Sequence, residues 1–297
     1  MNLRELEYIV AIADQGQFGR AASACHVSQS TLSIQVKKLE EFLGAPIFER
    51  DNRRVLTTPV GQRIIERARV ILQEIREIRA LAGASHDPLA GEVRLGVIPT
   101  LAAYLLPRIV PALTAALPRL RILLVEEKTP VLLDALVKGE MDAAILALPT
   151  PGSEVFSSRV LFEDEFFLAV PTGHRLAKSK SVNEASLAGE DLLLLEDGHC
   201  LRDQALEICS RVGTGERRDF RATSLETLRH MVASGGGITL IPKIAAHDQE
   251  GLRYIPFRGA RRPSRMIGVV WRPTTVRAQA LEKLTNTLVQ AAKVFAA

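Results

Sequence analysis

Two of the chain's three cysteines, Cys200 and Cys209, lie nine residues apart in the stretch GHCLRDQALEIC. If this stretch is one continuous helix, a rise of about 1.5 Å per residue puts the two Cα atoms about 13 Å apart. A disulfide needs Cα atoms within roughly 7 Å of each other. The two thiols are therefore either unrelated, or they are a reactive thiol and its resolving partner whose bond requires the helix to open.

The sequence around the two cysteines differs at the two ends of the predicted helix. Cys200 stands at its start, where the unpaired amides and the helix dipole favour an anion. His199 precedes it and Arg202 is close by, so we expect a lowered pKa for the Cys200 thiol. Cys209 follows apolar residues at the far end, where an ordinary buried thiol is expected. A thiol that peroxide oxidises to a sulfenic acid, with a second thiol that condenses with it, makes a redox sensor.

Length and composition limit the class of protein. The 297 residues exceed one usual domain, and 47% hydrophobic with 24% charged residues is typical of a soluble globular protein. No apolar run approaches the roughly 20 residues of a membrane span, and the amino terminus lacks the pattern of a secretory signal. We therefore expect a cytoplasmic protein without a membrane partner, in which a disulfide framework is not expected. Scattered histidines and cysteines predict no metal site, and no cofactor is predicted.

After about residue 90, apolar strand patterns alternate with helical ones. This alternation predicts an α/β architecture with a largely parallel sheet. The segment is too long for one small sheet, so we expect two lobes, with the chain crossing near residue 163 and returning near 267. Strand-to-helix turns would line the cleft between them. The predicted strands are 92–99, 121–127, 141–148, 166–171, 191–196, 237–242 and 266–272.

Residues 18–44 predict two short helices joined by a tight turn, the second helix starting after Ser28 as N-cap. In that helix four apolar residues at helical spacing form one buried stripe. Short polar side chains followed by a lysine on the opposite face suit the base edges and phosphates of DNA. Exposed Ile34 could contact a thymine methyl group, or it is a stray apolar residue on a solvated face. The stripe is Leu32, Val36, Leu39 and Leu43, and the opposite face is Gln29, Ser30, Ser33, Ile34 and Lys37.

The stretch ERDNRRVLTTPVG, residues 49–61, places Arg50, Arg53 and Arg54 on a predicted turn before a short strand. A wing beside a DNA-binding helix would bring such arginines to the phosphate backbone. A basic turn by itself is usually only solvated. Next to the predicted helix pair, the DNA-binding interpretation is favoured.

A long helix is predicted to begin at Pro59, with Thr58 as its N-cap. Six small or apolar residues repeat along it in alternating steps of four and three, which is typical of a dimeric coiled coil. The alternative is a helix packed on its own chain. A dimer would also allow two half-sites of DNA to be bound about one helical turn apart. The repeating positions are Ile64, Ala68, Ile71, Ile75, Ile78 and Ala82.

The stretch AASACHVSQSTLSIQVKKLEEFLGAPIFER, followed by LTTPVG, resembles the winged helix-turn-helix of LysR-type transcriptional regulators. The α/β part, including SLETLRHMVASGGGITLIP, is similar to the periplasmic-binding-protein-like effector domain of that family. The resemblance implies an all-α DNA-binding domain with a wing, a long linker helix, and an α/β effector domain of two Rossmann-type lobes. The implied boundaries are 1–58 for the DNA-binding domain, 59–90 for the linker and hinge, and 91–297 for the effector domain. Lobe I would comprise about 91–163 and 267–297, and lobe II about 164–266. By the same resemblance Gln29, Ser30, Ser33 and Ile34 face bases, while Thr31, Lys37 and Arg53 face phosphates.

The segment GHCLRDQALEIC resembles the cysteine segment of the peroxide-sensing OxyR regulators, a branch of the LysR-type family. That resemblance implies that Cys200 is the peroxidatic cysteine and Cys209 the resolving one. Their disulfide would change dimer contacts and hence DNA binding and transcription. The implied partners are double-stranded DNA, hydrogen peroxide, RNA polymerase, a thiol reductant system and further copies of the chain, as a homodimer or a homotetramer of paired dimers.

Two threonines follow predicted strands at turns that face the cleft. Thr100 and Thr129 are either N-caps of the next helices or, by resemblance to OxyR-like proteins, the hydroxyls that hold peroxide. With His199 and an arginine that precedes the last strand, they would polarise the leaving oxygen. The candidate peroxide site is Thr100, Thr129, His199, Arg202, Asp203 and Arg265.

Two other functions compete with a peroxide-sensing regulator. One is a LysR-type regulator that binds a small metabolite in its cleft, with incidental cysteines. The other is a thiol peroxidase. The predicted DNA-binding helix argues against an enzyme, because a peroxidase has no use for it.

Overall fold

The computed structural model describes residues 1–50, 55–213, 215–259 and 262–295. The chain forms two compact units, Met1–Ala82 and Gly83–Ala297. Among the helices described, none is both long and apolar enough to cross a bilayer.

The first unit is a helix-turn-helix with a two-stranded wing. The Ser28 hydroxyl accepts a hydrogen bond from the Thr31 amide at 3.1 Å, and the Thr58 hydroxyl accepts one from the Gly61 amide at 2.8 Å. Both predicted N-caps are therefore confirmed. His26 has a φ of 55° in the turn between the paired helices. The elements are α1 (Leu3–Gln15), α2 (Phe18–Ala24), α3 (Gln29–Leu43), β1 (Phe48–Arg50), β2 (Val55–Thr57) and α4 (Pro59–His86).

The buried stripe of α3 packs as the spacing predicts. Leu32, Val36 and Leu39 are buried in one core with apolar residues of α1 and α4. The tip of the wing, with the predicted contacts of Arg53 and Arg54, lies outside the described residues. Those two predictions therefore stay predictions.

The predicted seam along α4 is only partly available to a partner. Ala68 is 1% exposed and packs, with Ile65, into the core of its own unit. The prediction of a coiled-coil position is wrong for Ala68, because its own unit already covers the side chain. Further along, Ile71 is 40% and Ile78 is 60% exposed.

The second unit is built around a mixed seven-stranded sheet of order β10-β6-β11-β5-β3-β4, with β9 also on β6. A separate parallel pair joins β7 and β8. The strands are β3 (Gly91–Val97), β4 (Leu120–Glu126), β5 (Ala143–Leu148), β6 (Ser157–Pro171), β7 (Asp191–Leu195), β8 (Gly215–Ala222), β9 (Thr239–Pro242), β10 (Leu252–Pro256) and β11 (Ser264–Trp271). The helices are α5 (Pro99–Ala116), α6 (Thr129–Val137), α7 (Cys200–Val212), α8 (Leu225–Ala233) and α9 (Ala278–Ala292).

The prediction of a largely parallel sheet is wrong for the long strands. Strand β3 pairs in parallel with β4 and β5, but β6 pairs antiparallel with β9, β10 and β11. Strands β6 and β11 both run between the two lobes, and the chain passes along them in opposite directions. Their pairing is therefore antiparallel. Strands β8 and β10 were not predicted from the sequence.

Two hydrophobic cores divide the second unit. One runs from Val93 to Phe162 and resumes from Ile267 to Ala292. The other lies between Phe166 and Phe257. Strand β6 belongs to both, so the first core defines lobe I and the second defines lobe II.

Candidate functional site

The two ends of α7 pack in different lobes. Cys200, its first residue, is half-buried and packs against the core of lobe I. Cys209 is 2% exposed and lies in the core of lobe II. All three cysteines are free thiols. One unbroken helix therefore keeps the two thiols in separate cores, which confirms the helix assumed from the sequence.

Arg265 provides the positive charge near Cys200. Its buried guanidinium donates to Thr100 Oγ1 at 2.9 Å and binds Asp164 Oδ2 through Nη2 at 2.9 Å. The other Asp164 oxygen accepts the Ile244 amide at 3.0 Å. Arg262, a neighbouring arginine before β11, is instead exposed and pairs with a glutamate. The buried pair fixes Arg265 between β6 and the start of α5.

Arg202, expected to lower the pKa of the Cys200 thiol, directs its guanidinium to groups of lobe II. Its guanidinium binds Glu216 at 2.7 and 2.9 Å and Asp197 Oδ1 at 2.9 Å, and donates to the Leu195 carbonyl at 3.2 Å. These partners lie before α7 and on β7 and β8. Arg202 is therefore a clamp that fastens α7 to lobe II.

Asp203 is a second residue of α7 that was expected at the peroxide site. The residue is exposed on α7, and its negative charge raises the pKa of the Cys200 thiol. A carboxylate with that effect opposes formation of a thiolate. A part for Asp203 in binding peroxide stays a prediction.

Neither threonine caps its helix, so the N-cap alternative is wrong for both. Thr100 is the second residue of α5, whose N-cap is Ile98, and Thr129 is the first residue of α6, whose N-cap is Lys128. Both side chains are buried. Thr129 lowers the pKa of the Cys200 thiol by hydrogen bonding, yet its Oγ1 has no partner of ordinary geometry among the residues described. The hydroxyl is thus close to the sulfur and available to a small ligand.

The residue before Cys200, His199, carries a second unpaired buried atom. The side chain is 4% exposed, and its Nε2 has no hydrogen-bond partner within the described chain. A bond from Nδ1 to the Thr223 backbone is consistent with the unpaired Nε2. Burial, and then the Lys128 charge, lower the pKa of His199. The ring is therefore neutral at neutral pH, with the Nε2 lone pair free to accept a proton.

The expected acidity of Cys200 is wrong in this structure. Burial raises the pKa of its thiol above the usual 9.0 and outweighs the opposing effects of Arg265 and Thr129. The sequence could not show this, because the lobe I core that removes water from the sulfur comes from residues distant in the chain. Burial raises the pKa of Cys209 as well, as expected for an ordinary buried thiol.

Two polar residues near the thiol were missed from the sequence. Lys128 directly precedes Thr129, and its Nζ pairs with Glu196 and donates to the Asp197 carbonyl at 3.1 Å. Gln204 has a buried Oε1 without a partner among the residues described. Its position four residues after Cys200, on the same helix face, was a signal that could have identified it.

The candidate DNA surface lies on α3. The polar residues predicted to face DNA are exposed, and Ile34 is 55% exposed among them. The Thr31 hydroxyl bonds the Ser28 hydroxyl at 2.7 Å, which orders the first turn. Lys37 lies 3.7 Å from Glu41 in a solvated pair that a phosphate could displace. The exposed set comprises Gln29, Ser30, Thr31, Ser33, Ile34 and Lys37.

Both units match known protein families. Residues 3–62 match the bacterial regulatory helix-turn-helix protein, lysR family, and residues 86–293 match the LysR substrate binding domain. The DNA-binding transcriptional dual regulator OxyR of Escherichia coli K12 is 44% identical over 291 residues, covering 97% of this chain and 95% of that protein. A probable hydrogen peroxide-inducible genes activator of Mycobacterium avium is 38% identical, with 95% and 92% of the two chains covered.

Solved structures agree with these matches. A full-length OxyR variant from Pseudomonas aeruginosa is 38% identical with a TM-score of 0.73, covering 97% of this chain and 98% of that one. A hydrogen-peroxide-bound OxyR variant from Corynebacterium glutamicum is 31% identical with a TM-score of 0.67, covering 99% and 94%. The chain therefore belongs to the LysR family of bacterial transcriptional regulators, in its OxyR branch.

Proposed function

We propose that this chain is a DNA-binding transcriptional regulator that senses hydrogen peroxide at Cys200 and stores the signal as a Cys200–Cys209 disulfide. One observation carries the proposal. The Cys200 thiol lies among buried polar groups from both lobes, and two of them, Thr129 Oγ1 and His199 Nε2, are unpaired among the residues described. The relatives named as hydrogen peroxide-inducible genes activators support the same ligand.

Unpaired buried groups favour a small polar ligand at this place. A buried donor or acceptor without a partner costs about 1–3 kcal/mol, which a ligand that pairs with it recovers. Hydrogen peroxide can donate two hydrogen bonds and accept several. The Thr100 hydroxyl accepts from Arg265 and so keeps its own hydrogen to donate. Thr100, Thr129 and His199 could therefore all bind one peroxide molecule against the sulfur.

The first reaction converts one thiol and one peroxide into a sulfenic acid and one water. Neutral His199 takes the thiol proton on Nε2, and the sulfur of Cys200 attacks the nearer peroxide oxygen as the O–O bond breaks. The departing oxygen leaves as hydroxide and takes the proton back from His199. The buried Arg265 guanidinium stabilises negative charge on the sulfur and the departing oxygen.

The second reaction joins the two cysteines. The Cys209 sulfur attacks the sulfenic sulfur of Cys200, the S–O bond breaks, and a second water is released. Nine residues of α7 hold the Cα atoms about 13 Å apart, whereas the bond needs roughly 7 Å or less. Disulfide formation therefore requires α7 to open. A thiol reductant system would reset the switch by two-electron exchange.

The remaining partners follow from the same regulator function. Double-stranded DNA would bind the exposed face of α3, with the wing on the adjacent backbone. Two or four copies of the chain would pair their DNA-binding units, and opening of α7 would alter how the copies associate. RNA polymerase would be the downstream partner, and the protein would act in the cytoplasm, where its DNA is.

Mass spectrometry of the reduced protein before and after one equivalent of hydrogen peroxide tests the proposal. We expect loss of two hydrogen atoms, mapped by peptide analysis to a link between Cys200 and Cys209. Cys25 should remain a free thiol and serve as the internal control. Three free thiols after minutes of exposure would contradict peroxide sensing and favour a metabolite ligand in the cleft.

A further inference from the structure

One side chain of lobe I reaches the loop that precedes Cys200. The Lys128 ammonium forms an ion pair with Glu196 and donates to the Asp197 carbonyl at 3.1 Å. Both partners belong to lobe II, at the end of β7. The contact therefore ties the start of α6 to the loop that leads into the thiol.

The loop is shaped to receive this lysine. Gly198 has a φ of 89°, and a Cβ built there would lie 3.0 Å from Lys128 Cδ. The lysine stem thus lies directly against bare backbone. Any larger residue would be strained and would push the stem away.

The two ends of the contact adjoin the two sides of the thiol site. Thr129 follows Lys128 directly, and Cys200 follows Gly198 after one residue. The Thr129 hydroxyl acts on the thiol from lobe I, while the buried His199 ring, next to Cys200 in the chain, belongs to the loop held from lobe II. A shift of one lobe against the other would separate these groups.

We propose that Lys128 is a positioning residue for the reaction with peroxide, because its bonds to Glu196 and Asp197 hold Thr129 against His199 and Cys200. The inference rests on the proposed function and adds a residue that holds the lobe I and lobe II sides of the thiol site together. A misplacement of about 1 Å in a reacting group can slow a reaction by orders of magnitude.

The charge of Lys128 also acts on His199. The ring faces Lys128, Glu196 and the Thr223 backbone, and of the two charges Lys128 lowers the pKa of His199 while Glu196 raises it. Lys128 thereby helps to keep the ring neutral and able to accept the thiol proton. The side chains of the pair are 32% and 38% exposed, so the ion pair adds little to folding stability.

The rate of sulfenic acid formation in a Cys209→Ser background, measured by trapping and mass spectrometry across pH, tests this role. Lys128→Met should slow the reaction about 10- to 100-fold, up to the cost of a 1 Å misplacement of a reacting group, and Lys128→Arg should restore most of the rate. Lys138→Met is the matched control, because Lys138 forms a similar pair with Asp134 at the other end of α6. Thermal melts would show that all variants fold.

The pH profile separates positioning from a general structural effect. Removing the Lys128 cation raises the pKa of His199, so the rate should begin to fall at a higher pH as the solution is acidified. Glu196→Gln should also slow the reaction. In this variant the fall in rate on acidification should begin at a lower pH, because the carboxylate that raises the pKa of His199 is gone.

Equal rates for Lys128→Met, Lys138→Met and the Cys209→Ser parent would overturn the inference while leaving the proposed function intact. Suppose instead that Lys128→Met slows the reaction but Lys128→Arg does not restore the rate, or that the acidic side of the pH profile does not move. Either result would also contradict a positioning role for Lys128. If Cys200 of the parent fails to oxidise, both the inference and the proposed function are wrong.

Discussion

At the scale of single residues, Cys200 combines a weakly acidic thiol with surroundings suited to peroxide. Burial raises the pKa of the thiol, although Arg265 and Thr129 oppose this effect. A thiol of this kind reacts slowly with general electrophiles, because little of it is thiolate at neutral pH. Its reaction with peroxide would depend on groups already placed around the transition state, which favours selectivity over general reactivity.

Loss of the Thr129 hydroxyl should slow the reaction of Cys200 with peroxide and leave folding unchanged. Thr129→Val keeps the shape of the side chain but removes the group that lowers the Cys200 pKa and could bind peroxide. We expect oxidation of Cys200 by peroxide to slow about 100-fold, the lower end of the cost of one lost transition-state donor. Thr285→Val, which removes another buried hydroxyl without a partner among the described residues, is the control and should leave the rate unchanged.

Alkylation of Cys200 should report its raised pKa. In a protein with serine at 25 and 209, the rate with iodoacetamide should keep rising above pH 9.0, the usual pKa of a thiol, because burial holds the proton on the sulfur. The denatured protein supplies the reference curve. A midpoint near neutral pH would show a thiolate stabilised in the folded state and contradict the structure.

At the scale of elements, α7 is both the carrier of the thiols and the part that must open. Its first residue packs on lobe I, and most of its buried face packs on lobe II. Arg202 fastens it through Glu216 and Asp197. We therefore expect the strength of this clamp to set how readily α7 opens for the second reaction.

Arg202→Met should speed closure of the disulfide after Cys200 has been oxidised. The reduced protein should lose about 1–3 kcal/mol of unfolding free energy, because charged hydrogen bonds of a buried group are lost. Stopped-flow measurement of the second reaction and denaturant melts would check both effects. Arg211→Met, which removes an exposed pair at the far end of α7, is the control. Disulfide closure as slow as in the parent would show that the clamp does not limit opening.

The sequence predicted local features of the fold better than pairings between distant strands. Ser28 as N-cap and the buried Leu32 follow from short-range spacing, and the structure confirms both. The antiparallel pairing of β6 with β11 joins residues about a hundred positions apart, which no periodicity reveals. Strand β8 is rich in charged residues because it lies in a two-stranded pair, so its sequence, GERRDFRA, lacks the usual apolar pattern.

The candidate site was predictable only in part for the same reason. The Cys200 and Cys209 pair, the threonines and His199 could be named from motifs and resemblance. The pairing of Arg202 with Glu216 and the raised pKa of Cys200 depend on which side chains the lobes bring together. Those are properties of tertiary packing, which short-range sequence patterns do not reveal.

At the scale of the whole molecule, two units divide DNA binding from peroxide chemistry. The α3 surface belongs to Met1–Ala82 and the thiols to Gly83–Ala297. Cys200→Ser should therefore bind its operator as the reduced protein does, yet its DNA footprint should not change with peroxide. Cys25→Ser, altered in the other unit, should respond like the parent. A peroxide-dependent footprint in Cys200→Ser would overturn the switch.

Because the two thiols lie in different cores, their packing affects the reduction potential of the disulfide between them. Forming the disulfide must draw at least one of them out of its packing, and any such cost is stored in the oxidised state. For a two-electron couple, about 1.4 kcal/mol of stored energy raises the reduction potential by about 30 mV. The same packing that keeps Cys200 and Cys209 apart would thus make their bond easy to reduce, so that the signal ends soon after the oxidant is gone.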